Sequence, residues 1–519
     1  MAKNLTGEKI TQQWYLQKRP YDTFDEYDKY MMQIVQKVFN LLKEQPFPIQ
    51  EFKLNNEQNK ELAYIIGGYF EDYMSEIGVW QSLRDFNRKL YQSPIPVLLA
   101  PEDNYDSEYI NAVDIQFLIW NFFARNYFGY AITPQFEYFF LLSESIFNIL
   151  EEEIEKQMAT DFFEDYLQVN EHTTFPQLYD KLNWFAMASF TTGFEYRYKL
   201  GQQFLEQQKH NRDPNYLEMV HQFIKNDLLL RFPSQYSALS IPQWFSFFVK
   251  ANENVKEQIA EIKQHIGYYK LIKISQENFT FIHLYSNREY QVPKAGFVNM
   301  KVDELQEGSL YQGSFVYWQN QWHLVGTLID VKEKDESENI LKYKKEGDDL
   351  LIWYEPAYRE KIYGRNQQLK EAFEQVFDDR LIFFDNGEEL QKGIEKFLSA
   401  YNIKHNVSDN KKEDLPVEMK KKHDLALFFR ENEGYEIAEK VKEFIDTCQQ
   451  DEISEEEKMF LVKYVLFSNV SSHFIMELNN RYELKNLPTA LNALFDVKRE
   501  LSFFLRFYKS YDFSSPKNF

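Results

Sequence analysis

"GYYKLIKISQENFTFIHLYSNREYQV", residues 267–292, departs from the pattern of everything around it. In "NFTFIHLY", Phe279, Phe281, His283 and Tyr285 alternate with Thr280, Ile282 and Leu284. A period of two places the two sets on opposite faces of a strand. Working outward, the same reading predicts strands near 268–275, 278–286, 288–293, 309–318 and 321–330. "SNRE" and "WQNQW" supply hairpin turns, the second with Trp318 and Trp322 on paired strands. Gly308 and Gly313 mark places where a strand must bend. Strands this short and closely spaced predict a small antiparallel barrel over 266–331, SH3-like or OB-like.

Helical periodicity governs both flanks. Ile34, Val35, Val38, Leu41 and Leu42 form an amphipathic run that stops near Pro46 and Pro48. Tyr109, Val113, Phe117 and Trp120 make one stripe while Leu118 and Phe122 occupy another face, the mark of an internal bundle helix. Further helices are predicted at 135–158, 176–208, 215–230 and 242–265, with "NRDPN" at 211–215 as a break. Pro176 and Pro242 suit first-turn positions, where a missing N–H costs nothing.

Beyond the barrel, the charge-dense stretch 332–349 reads as a linker. A helix over 356–378, the short strand "RLIFF" and a helix capped by Asp385 or Asn386 follow. After a second polar linker at 402–416, the remainder to 519 reads as helical. Ile437, Val441, Phe444 and Cys448 are expected on one helix face, Ser454 and Glu457 have capping-box spacing, and a last helix from Pro488 carries Leu494, Val497, Leu501, Phe504 and Tyr508. The predicted fold is therefore mainly α, multidomain (α+β). It comprises a helical domain 1–265, an inserted small antiparallel β-barrel 266–331, a charged linker and α/β connector 332–403, and a helical domain 404–519.

Composition narrows the function classes. Lys and Arg number 59 against 81 Asp and Glu, a net charge of −22, which repels phosphate backbones and anionic lipid. The barrel itself lacks the basic footprint that single-strand binders need, so nucleic acid is not the expected partner. Cys448 is the only cysteine, which excludes a disulfide framework and cysteine-cluster metal sites. The N-terminus has no apolar signal core. The most apolar region, 115–150, is interrupted by Arg125, Gly129, Pro134, Glu137 and Glu144, so no membrane span is expected. A soluble cytoplasmic protein is the resulting expectation.

The opening "WYLQKRPYDTFDEYDKYMMQIV" resembles the start of a family of uncharacterised Bacteroides-type bacterial proteins known only as a domain of unknown function. The residues that carry the likeness are Trp14, Leu16, Arg19, Pro20 and Tyr21, then Asp28 and Tyr30. The resemblance implies a bacterial, intracellular origin and no particular chemistry.

Candidate chemistry is sparse. Neither G-x-x-x-x-G-K-S/T nor G-x-G-x-x-G occurs, so no nucleotide fingerprint is present, and no G-x-S-x-G elbow exists. Glu218 and His221 form a single E-x-x-H, where a di-iron bundle needs two; an exposed i,i+3 pair is the simpler reading. His283 and His323 both fall on barrel strands, as ligands, as an acid–base pair, or as ordinary hydrogen-bonded strand histidines. Asp330 and Lys332 stand two apart at a strand end, and with Asp303 they resemble in spacing the D…D/E-x-K pattern of restriction-type nucleases. Cys448, on an apolar face, reads as inert. The leading expectation is a non-catalytic protein-binding or scaffold module with a protein partner and no cofactor. The alternative is a divalent-metal phosphodiesterase or other hydrolase with carboxylates around Asp330.

Overall fold

The structure is a computed structural model and describes residues 9–98, 105–127, 129–156, 158–284, 286–297, 305–331, 356–406, 414–431, 433–487 and 497–514. It is mainly helical with two antiparallel sheets, and the chain divides into two compact units, Met1–Lys344 and Lys345–Phe519.

The first unit opens with α1 (Gln12–Leu16), α2 (Glu26–Glu44), α3 (Asn56–Met74) and α4 (Val79–Tyr91). Asp25 and Asn55 cap α2 and α3 through reciprocal capping boxes, which fixes where each helix starts. Of the predicted amphipathic face, Ile34, Val35, Val38 and Leu42 on α2 are each at most 3% exposed, while Leu41 is half-buried at its edge. Next come α5 (Ala112–Asn126) and α6 (Glu137–Ile154). As its two-faced apolar pattern predicts, α5 is internal, with every residue from Asp114 to Arg125 buried. The short α7 (Phe162–Tyr166) leads to α8 (Phe175–Ala188), α9 (Gly193–His210), α10 (Pro214–Arg231), α11 (Ile241–Phe248) and α12 (Glu253–Ala260).

Two helices predicted as continuous are broken. The predicted 176–208 splits at Ser189–Thr192, where the Ser189 hydroxyl lies 3.1 Å from that of Thr191 and the Thr192 hydroxyl donates to the Phe185 carbonyl. Such local bonds compete with the helix ladder. The predicted 242–265 splits because Lys250 pairs with the distant segment 167–169, its N–H donating to Leu167 O and its carbonyl accepting from Val169 N, both at 3.1 Å. Asn252 then caps α12.

The barrel region forms antiparallel strands: β1 (Gln264–Ile274), β2 (Asn278–His283), β3 (Glu289–Pro293), β4 (Leu310–Trp318), β5 (Gln321–Leu324) and β6 (Ile329–Asp330), the predicted 321–330 being split in two around Gly326, whose φ is 78°. Their order is β3-β2-β1-β4-β5, with β6 also on β4. The sheet curls into a half-barrel, because Tyr290 on β3 and Trp322 on β5, at opposite ends of that order, have ring centroids 4.5 Å apart. A register shift between Leu271 and Lys273 bends β1. Gly267 and Gly313 face each other across β1 and β4, and a Cβ on Gly267 would fall 2.1 Å from His283 Nε2. In the β4–β5 turn both Gln319 and Asn320 have positive φ, the primed geometry that suits a tight hairpin. The outer face packs on the helices: Trp318 Nε1 donates to Thr173 O at 3.0 Å.

The second unit centres on a three-stranded sheet, β7 (Leu381–Asn386), β8 (His423–Arg430) and β9 (Gly434–Glu439), in the order β7-β8-β9. Here the expectation of an all-helical 417–519 is corrected, and strand 381–386 pairs with 423–430 across residues 403 and 404. One sheet face meets α13 (Pro356–Phe377) and α14 (Gly387–His405), where Phe373, Ile394 and Phe397 join Leu425, Leu427 and Phe429. Asn386 caps α14. The remaining helices are α15 (Val417–Lys420), α16 (Val441–Gln449), α17 (Glu455–Phe467), α18 (Ser472–Tyr482), α19 (Val497–Tyr508) and α20 (Ser510–Ser514). Phe428, on the other sheet face, meets Phe474 of α18. The Ser454–Glu457 capping box is formed. Leu501, Phe504 and Tyr508 are buried on α19, and Pro488 and Leu494 lie outside the described residues.

Ile437 is not on the Cys448 helix but on β9, so Val441, Phe444 and Ile445 supply the buried face of α16. Cys448 is fully buried, and burial pushes its thiol up to about 12. A thiol reagent is expected to label the native chain at least about a hundredfold more slowly than the denatured one. Stoichiometric labelling of native protein within minutes at neutral pH would show that this face opens.

Candidate functional site

The Trp14–Tyr30 motif builds a structural clamp. Arg19, its side chain 2% exposed, forks onto Glu71 of α3 with Nη1 at 2.6 Å and Nη2 at 2.5 Å from the two carboxylate oxygens. Its Nε donates to Asp28 and to the Tyr21 hydroxyl at 3.1 Å each, and Tyr21 donates to Asp28 at 2.8 Å. The guanidinium lies 5.0 Å from the Tyr15 ring centroid. A cation so enclosed is positioned to hold α1, α2 and α3 together, not to meet a ligand.

The next residue along α3, Asp72, belongs to a different structure, an open cleft of about 780 Å³. Its walls are the C-terminal end of α3, the turn into α4, the first turns of α4, the loop 107–109, and Ile154 and Ala159 at and beyond the end of α6. That turn needs left-handed backbone at Glu76 (φ 47°) and Gly78 (φ 91°), which sets Glu76 out on the rim. Asp72 accepts from the backbone N–H groups of Val79 and Trp80 at 2.9 Å each and so satisfies the start of α4. Burial nevertheless pushes its carboxyl up to about 6, against the pull of those amides and of Arg84.

Beneath the floor, Asp114 is fully buried and accepts from Tyr69 at 2.8 Å and from Tyr105 at 2.6 Å. Burial raises its pKa, opposed by the Tyr105 hydroxyl, the charge of Arg84 and the Tyr69 hydroxyl. Arg84, 6% exposed, donates to Gln81, to Tyr105 at 3.3 Å and to Ser107 O at 2.9 Å, while its Nε has no acceptor among the described residues. On the rim, Tyr73 and Tyr109 meet edge to face with centroids 5.8 Å apart. Tyr109 is held above its ordinary pKa first by burial, then by Glu151 and Glu155.

Sequence reasoning missed this site. The available signal was a carboxylate inside an apolar helix: Asp114 stands in "AVDIQFLIWNFFARN", and Asp72 in "YFEDYM". Of the two tyrosines bound to Asp114, Tyr105 is nearby in sequence but Tyr69 lies 45 residues upstream, so no local pattern announces the pair.

The candidates singled out from the sequence fall at separate places where they are described. Asp330 is exposed on β6 opposite Tyr311, and Asp303 and Lys332 lie outside the described residues. Glu218 is exposed on α10, and His221 sits edge to face with Phe204 at 5.5 Å. His283 faces the half-barrel interior, its Nδ1 3.0 Å from Ser286 Oγ, and burial pushes its pKa down to about 4. His323 faces the opposite way and stacks on Phe175 of α8 at 5.0 Å, with burial lowering its pKa. Strand alternation thus sends the two histidines to opposite faces. His265, not singled out, is the buried neighbour of His283, its Nδ1 3.0 Å from the Tyr290 hydroxyl. Among the described residues no group of three or more His, Cys, Asp or Glu is placed to hold a metal ion, and no helix is long and apolar enough to cross a membrane.

Comparison with known proteins gives one match. A family model described as a protein of unknown function (DUF3843) matches residues 9–272. No curated protein and no solved structure matches the chain.

Proposed function

The chain belongs to the DUF3843 family, and from that premise we propose that it is a non-catalytic protein-binding module, in which the α3–α4 cleft takes a segment of a partner protein. One observation carries this reading: the acidic and basic groups of the floor are already engaged within the fold. Both oxygens of Asp72 accept helix amides, both oxygens of Asp114 accept tyrosine hydroxyls, and Arg84 serves Gln81, Tyr105 and Ser107. Asp72 and Asp114 are also buried, so neither carboxylate is presented to a visitor as a general acid or base. What the cleft offers to a visitor is two rim tyrosines and carboxylates, a surface for contact. The bacterial cytoplasm is the compartment that fits, since the single cysteine is buried and free.

Phage-displayed peptides selected on the full chain test the reading. Peptides with micromolar affinity are expected, weakened by Tyr109→Leu but not by a substitution at exposed Ile403 in the other unit. Selected peptides that ignore every cleft substitution would defeat it. Cleavage of DNA or RNA that requires Mg²⁺ or Mn²⁺ and is lost in Asp330→Ala would replace it with the hydrolase reading.

A further inference from the structure

We propose that the group seated in the cleft is a basic side chain, a lysine ammonium or an arginine guanidinium on the partner's segment, held against the Tyr73–Tyr109 ring pair. The inference rests on the protein-binding reading and adds the chemistry of the occupant.

Three features point to a cation. Tyr73 and Tyr109 line the cleft half-buried, so their rings are partly stripped of water while still reachable. An aromatic face attracts a cation within about 6 Å of its centroid, more strongly as water is excluded. Around the pair the field is negative. Glu76 and Glu108 line the cleft and are exposed, Asp106 acts on Tyr73, and Glu151 and Glu155 act on Tyr109. Arg84 is the one cation among the described lining residues, and its charge faces Asp114 beneath the floor. Nearby Lys156 shares Glu153 with Lys37, each at 2.5 Å, and so is drawn to that carboxylate. The net charge of −22 on the whole chain adds long-range attraction for a basic partner.

The occupant is an organic cation on a peptide rather than a bare metal ion or a free amine. A divalent ion wants roughly six or more oxygens at about 2.0–2.6 Å. The carboxylates here surround the rings without converging as a ligand group, as holds for all the described residues. A free amine would leave most of about 780 Å³ to water, whereas a few residues of extended chain fill it.

The test is fluorescence anisotropy on the full chain with three labelled Gly/Ser decapeptides, carrying three lysines, three glutamines or three glutamates. The lysine peptide is expected to bind about tenfold or more tightly than the glutamine one, with affinity falling as salt rises. Tyr109→Leu should weaken it about fivefold while Tyr109→Phe, which keeps the π face, restores it. Glu108→Gln, at an exposed position that leaves folding intact, should weaken it about twofold. Glutamine or glutamate peptides that bind equally well and still respond to Tyr109→Leu would overturn the cation and leave the protein-binding reading standing. If none of the three binds and phage selection yields no cleft-dependent peptide, both fall.

Discussion

Replacing Arg19 with methionine is expected to destabilise the first unit by about 3–5 kcal/mol, the range for removing one partner of a buried ion pair. The side chain is 2% exposed, and its two carboxylate partners, Glu71 and Asp28, are 7% and 0% exposed. Methionine fills similar space, so the loss comes from charge left without a partner and not from a cavity. Urea unfolding followed by tryptophan fluorescence measures it, and a loss below about 1 kcal/mol would mean the clamp is not what holds α1 to α3. The deficit should depend on pH with a definite sign. Asp28 already titrates above the ordinary carboxylate value, chiefly through burial, with Arg19 and Tyr21 pulling it down. Without Arg19 its folded pKa rises further above the unfolded one. The folded state then holds a proton that the unfolded state has released, so the deficit grows as pH rises through that folded value. It shrinks as pH falls towards the ordinary carboxylate range. A deficit constant from acid to neutral pH would contradict this account.

Asp114→Ala should come next in size, at about 2–5 kcal/mol. It strands two buried hydroxyls, Tyr69 and Tyr105, at roughly 1–3 kcal/mol each when nothing replaces the acceptor. It also removes the counter-charge behind Arg84. Asp114→Asn keeps an acceptor oxygen and should cost clearly less. That ordering separates loss of hydrogen bonds from loss of charge, and equal costs for Ala and Asn would assign the effect to charge alone. Since these groups support the floor from beneath, the Ala variant should also weaken cleft-dependent peptide binding under conditions where it remains folded.

The half-barrel was legible because its strands alternate and its turns carry Asn and Gly at the right offsets; Phe279, Phe281 and His283 all face inward as the period of two requires. Strand β8 was not, for the opposite physical reason. "DLALFFR" is apolar without a break because helices cover both faces of the sheet, and a short continuous apolar run looks the same in a buried helix. The Ser189–Thr192 interruption carries neither Pro nor Gly within it, and what reveals it is the local bonding of its hydroxyls, which composition does not announce. Arg19 and Asp28 stood out in the opening motif, yet their role depends on Glu71, which belongs to another helix. The cleft was least legible of all, since its short-range bonds, such as Asp72 to Val79 and Trp80, become a cleft only when Tyr69 and Arg84 meet the distant segment 105–114.

The family match stops at residue 272, inside β1, which runs to Ile274 and pairs with β2 on one side and β4 on the other. For anyone expressing the protein, that limit is a poor place to cut. A recombinant fragment ended there would retain the helices but present an orphaned strand, its amides and carbonyls bare along both edges, and open β edges recruit other chains. It would also strip Trp318 and His323 from α8 and its approach, leaving Phe175 uncovered. A stop codon after Val331 instead keeps all six strands of the half-barrel with the helices they cover, and with them the surface against which that sheet folds.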